Sequence, residues 1–293
     1  MIFYSLRRIF FVLMIGPLMW LGASVAQAEI RVTDGEGHEL VLDAPAQRII
    51  SLAPNITELL FAVGAGGQVV AVDRFSDYPH EAKALPKIGD AFQLDRETIL
   101  ALKPDLVVAW GSGGSYETIT QLKTLGLNVY ISESHGLDDI AIEMKRLAEL
   151  SGTESVASKV IKAYQDQLER LQQRYADKSP VRVFYETWDQ PLMTIGGSHV
   201  ITDMMRLCGG DNVFSNIDVL APQVSVEAVL SAMPEVIIYG VERDQKHRWG
   251  AWPLIPAVKN NHLYRIDADL MVRHTPRILQ GLEQLCVRLE TAR

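Results

Sequence analysis

The chain has 293 residues, 48% of them hydrophobic and 22% charged, with a formal net charge of −8. That balance excludes a disordered or collagen-like chain, and a pI near 5.4 argues against a nucleic-acid binder, which needs a basic face. The length suffices for one large domain or for two lobes of ordinary size.

The N-terminus reads as a secretory signal. Arg7 and Arg8 open it, Ile9 to Val25 is nearly all apolar, and Ala26-Gln27-Ala28 fits a small-x-small cleavage site before Glu29. A membrane anchor is the competing reading, since the apolar run is nearly long enough to cross a thin bilayer. The Arg7-Arg8 pair has a faint twin-arginine look, but the apolar core favours ordinary export. Cleavage removes both arginines and leaves the exported chain at −10. Cys208 and Cys286 remain. In an oxidising compartment they are expected to pair, the alternative being two buried free thiols.

Arg48 to Ala53 reads as a buried strand, and Pro54-Asn55-Ile56-Thr57-Glu58 opens a helix that stops at glycine. Val69 to Val72 is a strand, Leu94 to Leu102 a helix, and Leu106 to Trp110 a strand ending in the turn Gly111-Ser112-Gly113-Gly114. Tyr116 to Leu125 is helical and Val129 to Ile131 a strand. Strands alternating with helices imply a parallel sheet with helices packed on it. Leu137 to Leu150 is an amphipathic helix. From Thr153, apolar residues recur at Val156, Val160, Tyr164, Leu168, Leu171 and Tyr175, one helical face over more than five turns. It ends before Pro180. Its length and central position mark a stiff connector.

The alternation then repeats. Val181 to Tyr185 is a strand, His199 to Cys208 a helix closed by Gly209-Gly210, Val226 to Ala232 a helix and Val236 to Tyr239 a strand. Leu263 to Ile266 is a strand, and Pro276 to Glu290 the last helix, with Pro in its first turn. An internal repeat links the halves. Glu97 to Val108 and Glu227 to Ile238 both read as glutamate, short apolar helix, Pro-acid, buried strand. The expected division is a signal peptide at 1–28, an N-terminal lobe at 29–150, a connector helix at 151–179 and a C-terminal lobe at 180–293.

Familiar catalytic patterns are absent. No GxGxxG follows a strand, no GxxxxGK[ST] or GxSxG occurs, and the seven histidines form no HExxH or HxxxH pair. A lone histidine such as His199 reads as a satisfied helix residue. No metal site, cofactor or catalytic group is expected, although catalytic groups can converge without a local motif.

Several segments together carry a resemblance. They are Pro54-Asn55-Ile56-Thr57-Glu58-Leu59, Ser76-Asp77-Tyr78-Pro79, Ala101 to Trp110, Cys208-Gly209-Gly210-Asp211-Asn212-Val213-Phe214, Pro222-Gln223-Val224-Ser225 and Pro276-Arg277-Ile278-Leu279. The chain resembles the periplasmic solute-binding proteins of the vitamin B12, iron-siderophore and haem ABC importers, from about Arg48 to Arg288. The CGG segment and the terminal-helix cysteine lean toward the vitamin B12 branch. The resemblance implies an α/β fold of the class III, helical-backbone kind, with two lobes, each a parallel sheet flanked by helices, joined by one long rigid helix. It implies a monomeric, non-enzymatic periplasmic protein that captures a corrinoid (vitamin B12, cobalamin) between its lobes and delivers it to an ABC importer of permease and ATPase. A haem- or ferric-siderophore-binding protein of the same class is the alternative, and an exported enzyme on this fold the more distant one.

Trp110 ends a strand at a glycine-rich turn, where ligands sit in open parallel sheets. Phe75, Tyr78, Phe92 and Trp188 fall at strand ends or loops, and aromatic walls suit a broad corrinoid disc. Asp269 and Arg273 match a ligand-contacting polar pair of the family; an i, i+4 surface salt bridge is the plain alternative. Glu97 and Glu227 match the family's one glutamate per lobe that docks permease arginines, beside their plain role at helix starts. Phe75, Ala91, Ala221 and Trp188 depart from the family's pocket aromatics.

Overall fold

Short β-branched runs can be buried on both faces only if helices cover them, and that requirement shapes the whole chain. The computed structural model describes residues 29–90, 93–114, 116–240 and 248–293. The signal-peptide reading, Ala91 and Phe92 fall outside those residues.

The N-terminal sheet contains β3 (Ile49–Ser51), β4 (Val69–Val72), β5 (Leu106–Trp110) and β6 (Val129–Ser132), in the order β4-β3-β5-β6. Helices α1 (Pro54–Ala62), α2 (Arg96–Ala101) and α3 (Tyr116–Thr124) connect them. The C-terminal sheet contains β7 (Val181–Glu186), β10 (Gly210–Asn212), β11 (Val236–Tyr239) and β12 (Leu263–Arg265), in the order β10-β7-β11-β12. All neighbours in both sheets are parallel. The strand cores are fully buried, from Ile49 and Val107 in one sheet to Val183 and Ile237 in the other.

Two antiparallel hairpins lie outside the predicted elements. One pairs β1 (Ile30–Thr33) with β2 (Glu39–Leu42), and the other pairs β8 (Trp188–Asp189) with β9 (Leu192–Met193). The segment read as a helix stop at Gly209-Gly210 continues at once into β10. The last helix, α10 (Ile278–Glu290), starts two residues after the expected Pro276, and a short unpredicted helix, α9 (Asp269–Val272), precedes it, with α6 (Val200–Leu207), α7 (Val226–Ala232) and α8 (Pro256–Lys259) before them.

Between the sheets run α4 (Leu137–Ser151) and α5 (Glu154–Tyr175). Gly152, at φ 68°, ends α4 in the left-handed region that favours glycine. On α5, Tyr164, Leu168, Leu171 and Tyr175 are buried as the spacing predicts, but at the start of the helix Ala157 faces inward while Val156 lies exposed beside Gly64. The α5 face joins a single apolar cluster that contains Ile56 and Val108 of one lobe and Val183, Ile201 and Leu285 of the other. A continuous core through the connector resists large rotation of one lobe against the other. Cys208 and Cys286 form a disulfide with Cα atoms 4.9 Å apart, tying α6 to α10.

The repeat in sequence is a repeat in structure. Arg48 donates to the Leu102 carbonyl, and Asp105 accepts from the Arg48 amide at 2.9 Å. In the second lobe Arg182 donates to the Ala232 carbonyl, and Glu235 accepts from the Arg182 amide at 2.8 Å. Lys103 and Met233, at the same register, share a φ of 47°.

Candidate functional site

The carboxyl ends of both parallel sheets meet in a cleft, as the strand-end rule for open α/β sheets anticipates. The cleft encloses about 210 Å³ and draws residues from both lobes. Trp110, Ser112, Glu133, Ser134 and His135 come from the ends of β5 and β6. Ser198, His199, Leu220, Ala221, Val272 and His274 come from the second lobe. Larger grooves of about 460 and 600 Å³ run along α5, away from the strand ends, and are lined mainly by polar residues of helix surfaces.

Trp110 is half-buried, and its ring lies over the following turn. Gly113 permits this, because a Cβ there would stand 1.9 Å from the indole. Glu133 is fastened to the same turn, accepting from the Ser112 amide at 2.6 Å and the Ser112 hydroxyl at 2.9 Å. His199 caps α6, its Nδ1 accepting from the Ile201 amide at 3.1 Å. Burial lowers the pKa of both His199 and His274 to about 4, so both are neutral at pH 7. Ala221, where the resemblance implies a tryptophan, lines the same cleft.

The other expected site residues fall in different places. Phe75 and Trp188 are exposed at the carboxyl ends of β4 and β7; Arg74 lies over the Phe75 ring, and Trp188 Nε1 donates to the Gln190 carbonyl at 3.0 Å. Tyr78 does not line the cleft. It lies 3.7 Å beneath the Arg277 guanidinium and borders a separate groove of about 380 Å³ with Phe61, Pro79 and Val160. Phe92 is outside the described residues.

Asp269 and Arg273 form the i, i+4 pair at 2.8 Å, but Arg273 does far more. It also donates to Glu58 at 2.8 Å and to Asp77 at 2.9 Å, both in the first lobe. Glu58, on α1, accepts in addition from Arg277 Nε at 2.9 Å, Arg277 Nη2 at 2.8 Å and the Thr275 hydroxyl at 3.1 Å. Its carboxylate is 2% exposed and Arg273 is 12% exposed. A buried carboxylate must be paired and hydrogen-bonded, and this one is saturated entirely from the other lobe. Within residues 272–275, Val272 and His274 face the cleft while Arg273 and Thr275 reach Glu58. The clamp therefore fixes a wall of the cleft. Sequence reading singled out neither Glu58, Glu133 nor His274 for the site. Glu133 directly follows a strand end and was within reach of the rule that found Trp110; Glu58 and His274 carried no such local signal.

Glu97 and Glu227 are exposed in the first turns of α2 and α7. Asp95 and Ser225 cap those helices, accepting from the Thr98 and Ala228 amides. The Glu227 carboxyl is held below the usual carboxylate range by backbone and Ser225 hydrogen bonds.

Residues 49–270 match the model of the periplasmic binding protein family. The chain is 38% identical over 250 residues to the "Vitamin B12-binding protein" of Vibrio cholerae, spanning 85% of this chain and 91% of that protein. It is 36% identical to the "Vitamin B12-binding protein" of Yersinia pestis, over 83% and 86% of the two chains. The crystal structure of the periplasmic vitamin B12 binding protein BtuF of Vibrio cholerae superposes with a TM-score of 0.79 at 37% identity, covering 85% and 98%. The haem-binding protein RhuT of Roseiflexus sp. RS-1 shares the fold, with a TM-score of 0.75 at 24% identity over 84% and 99%. With two parallel α/β sheets joined through a helical backbone, and a family match over most of its length, this chain belongs to the periplasmic binding protein family.

Proposed function

We propose that this chain captures a corrinoid of the vitamin B12 class in the cleft between its lobes and delivers it to an ABC importer. The observation that carries the reading is 38% identity, over 85% of the chain, to a protein named for vitamin B12 binding. The cleft geometry supports it. A corrinoid is too large for 210 Å³, so the disc spans the mouth of the cleft, with one edge against Trp110. Phe75 and Trp188, exposed at strand ends on either lobe, offer further apolar faces to such a disc. Asp269 and Arg273 serve the site through the clamp, by holding the segment that presents Val272 and His274. The protein acts as a binder, without chemistry on its ligand, and ATP hydrolysis belongs to the importer's ATPase. It works in the periplasm after removal of residues 1–28.

Glu97 and Glu227 are proposed as the contacts to the permease, one on each lobe. They occupy the same register of a structural repeat, and two separated charges fix orientation as well as position on a two-fold partner. The deciding experiment adds cyanocobalamin, haemin or a ferric siderophore to purified protein, followed by gel filtration and titration calorimetry. Retained corrinoid is expected; retention of haemin or siderophore with no corrinoid bound would overturn the ligand assignment.

A further inference from the structure

Three imidazoles, His135, His199 and His274, reach the cleft from three separate segments, and their nitrogens are differently committed. A neutral imidazole has one N–H and one nitrogen lone pair. His135 is exposed, with Nδ1 3.9 Å from the Glu133 carboxylate. His199 spends its Nδ1 lone pair on the Ile201 amide, so its proton sits on Nε2. Neither His135 nor His274 has a hydrogen-bond partner for a ring nitrogen among the described residues, but the His135 side chain is 79% exposed and beside a carboxylate, whereas His274 is largely buried in the cleft wall.

The charges facing His274 come from both lobes: His199 and His135, and the Glu133 and Asp139 carboxylates. Burial outweighs them and keeps the ring neutral, so its lone pair stays available at pH 7. The ring is also held in place. It sits between Arg273 and Thr275, both bonded to the buried Glu58. A neutral, oriented imidazole with a spare lone pair is the usual protein ligand for a transition metal. No group of three or more His, Cys, Asp or Glu side chains able to hold a metal ion occurs among the described residues. A metal arriving at His274 must therefore come already held by its own chelate, with one axial position open to exchange.

We propose that His274 supplies the axial nitrogen to the central metal of the macrocycle bound in this cleft, a cobalt(III) corrinoid carrying an exchangeable water. This rests on the corrinoid reading above. The cobalt–water bond breaks, a bond from the His274 nitrogen to cobalt forms, and the water leaves to solvent. The metal keeps its oxidation state and no proton is transferred. Such a bond would favour aqua-corrinoids over forms whose axial sites are blocked by cyanide. An iron porphyrin presents the same chemistry, and the test separates the two.

Purified protein is mixed with diaquacobinamide, aquacobalamin, cyanocobalamin or haemin, and the visible spectrum of the retained complex is compared with that of the free ligand and its imidazole adduct. With an aqua-corrinoid the bound spectrum is expected to shift to that of the imidazole adduct, and cyanocobalamin is expected to bind without a shift. His274→Gln should lose the shift at saturating corrinoid, and His199→Gln and His135→Gln should keep it. Circular dichroism checks that the variants fold. If His274→Gln holds no corrinoid, the wild-type shift and its persistence in both His199→Gln and His135→Gln decide. A bound aqua-corrinoid that keeps its water spectrum overturns the ligation while leaving the corrinoid reading intact, and so does a shift that survives His274→Gln. An imidazole-type shift with haemin alone keeps His274 as a ligand but overturns cobalt as its metal. No binding of any corrinoid or haemin overturns both proposals.

Discussion

Replacing Glu58 with glutamine tests the clamp with almost no change in volume. The carboxylate accepts four hydrogen bonds, from Arg273, Thr275 and twice from Arg277, all contributed by the opposite lobe. A glutamine keeps one oxygen but turns an NH2 toward guanidinium donors. Breaking a buried ion pair by removing one partner costs about 3–5 kcal/mol, because the remaining charge is left uncompensated. Two features moderate this. Arg273 retains Asp77 and Asp269, and Arg277 retains its stacking on Tyr78. The expected loss is therefore about 3 kcal/mol, which for a chain of this size lowers Tm by roughly 6–12 °C. Calorimetry and urea unfolding measure it. Because the clamp spans the lobes, small-angle scattering should also show a broader distribution of lobe separations in Glu58→Gln. The exposed Glu97→Gln serves as the control, with a change of about 0.5 kcal/mol or less. A loss under about 1 kcal/mol in Glu58→Gln, with unchanged scattering, would refute the clamp as an inter-lobe restraint.

Glu143 is buried with neither carboxyl oxygen hydrogen-bonded among the described residues, and burial pushes its pKa up to about 7. Its raised value means that unfolded chains ionise first as pH rises from about 4.5, so stability falls between there and pH 7; Glu143→Gln should remove this slope and gain up to roughly 3 kcal/mol at pH 8, read from urea melts across pH. Reducing the Cys208–Cys286 bond, whose partners lie 78 residues apart, should cost up to roughly 4 kcal/mol, and mass spectrometry of untreated protein should find both thiols blocked. Trp110→Ala should weaken corrinoid binding by about 1–3 kcal/mol in calorimetric titration; unchanged affinity would confine the indole to capping the sheet. The double variant Glu97→Arg with Glu227→Arg should keep ligand affinity but lose association with the reconstituted importer, and normal docking on-rates at moderate salt would sink the permease role.

Sequence alone was enough for seven of the eight strands of the two parallel sheets, all but the edge strand at Gly210–Asn212, because period, buried β-branched runs and proline or glycine stops act over a few residues. Val226–Ala232 and Val236–Tyr239 begin and end where those signals place them. The repeat from Glu97 and Glu227 was legible for the same reason. Trp110 was legible because a strand end followed by a glycine turn is itself a local feature. The hairpins at Ile30 and Trp188 were not, since two- to four-residue strands give too short an alternation to read. Only the tertiary structure decided what Glu58 and Arg273 do. They lie 215 residues apart in sequence and meet because α1 and the segment before α10 pack against one another. The same packing brought Arg273 onto Glu58 and Asp77, set Tyr78 beneath Arg277 and left His274 facing the cleft. Burial and partner choice are properties of which surfaces meet, and no window of sequence contains both sides of such a contact.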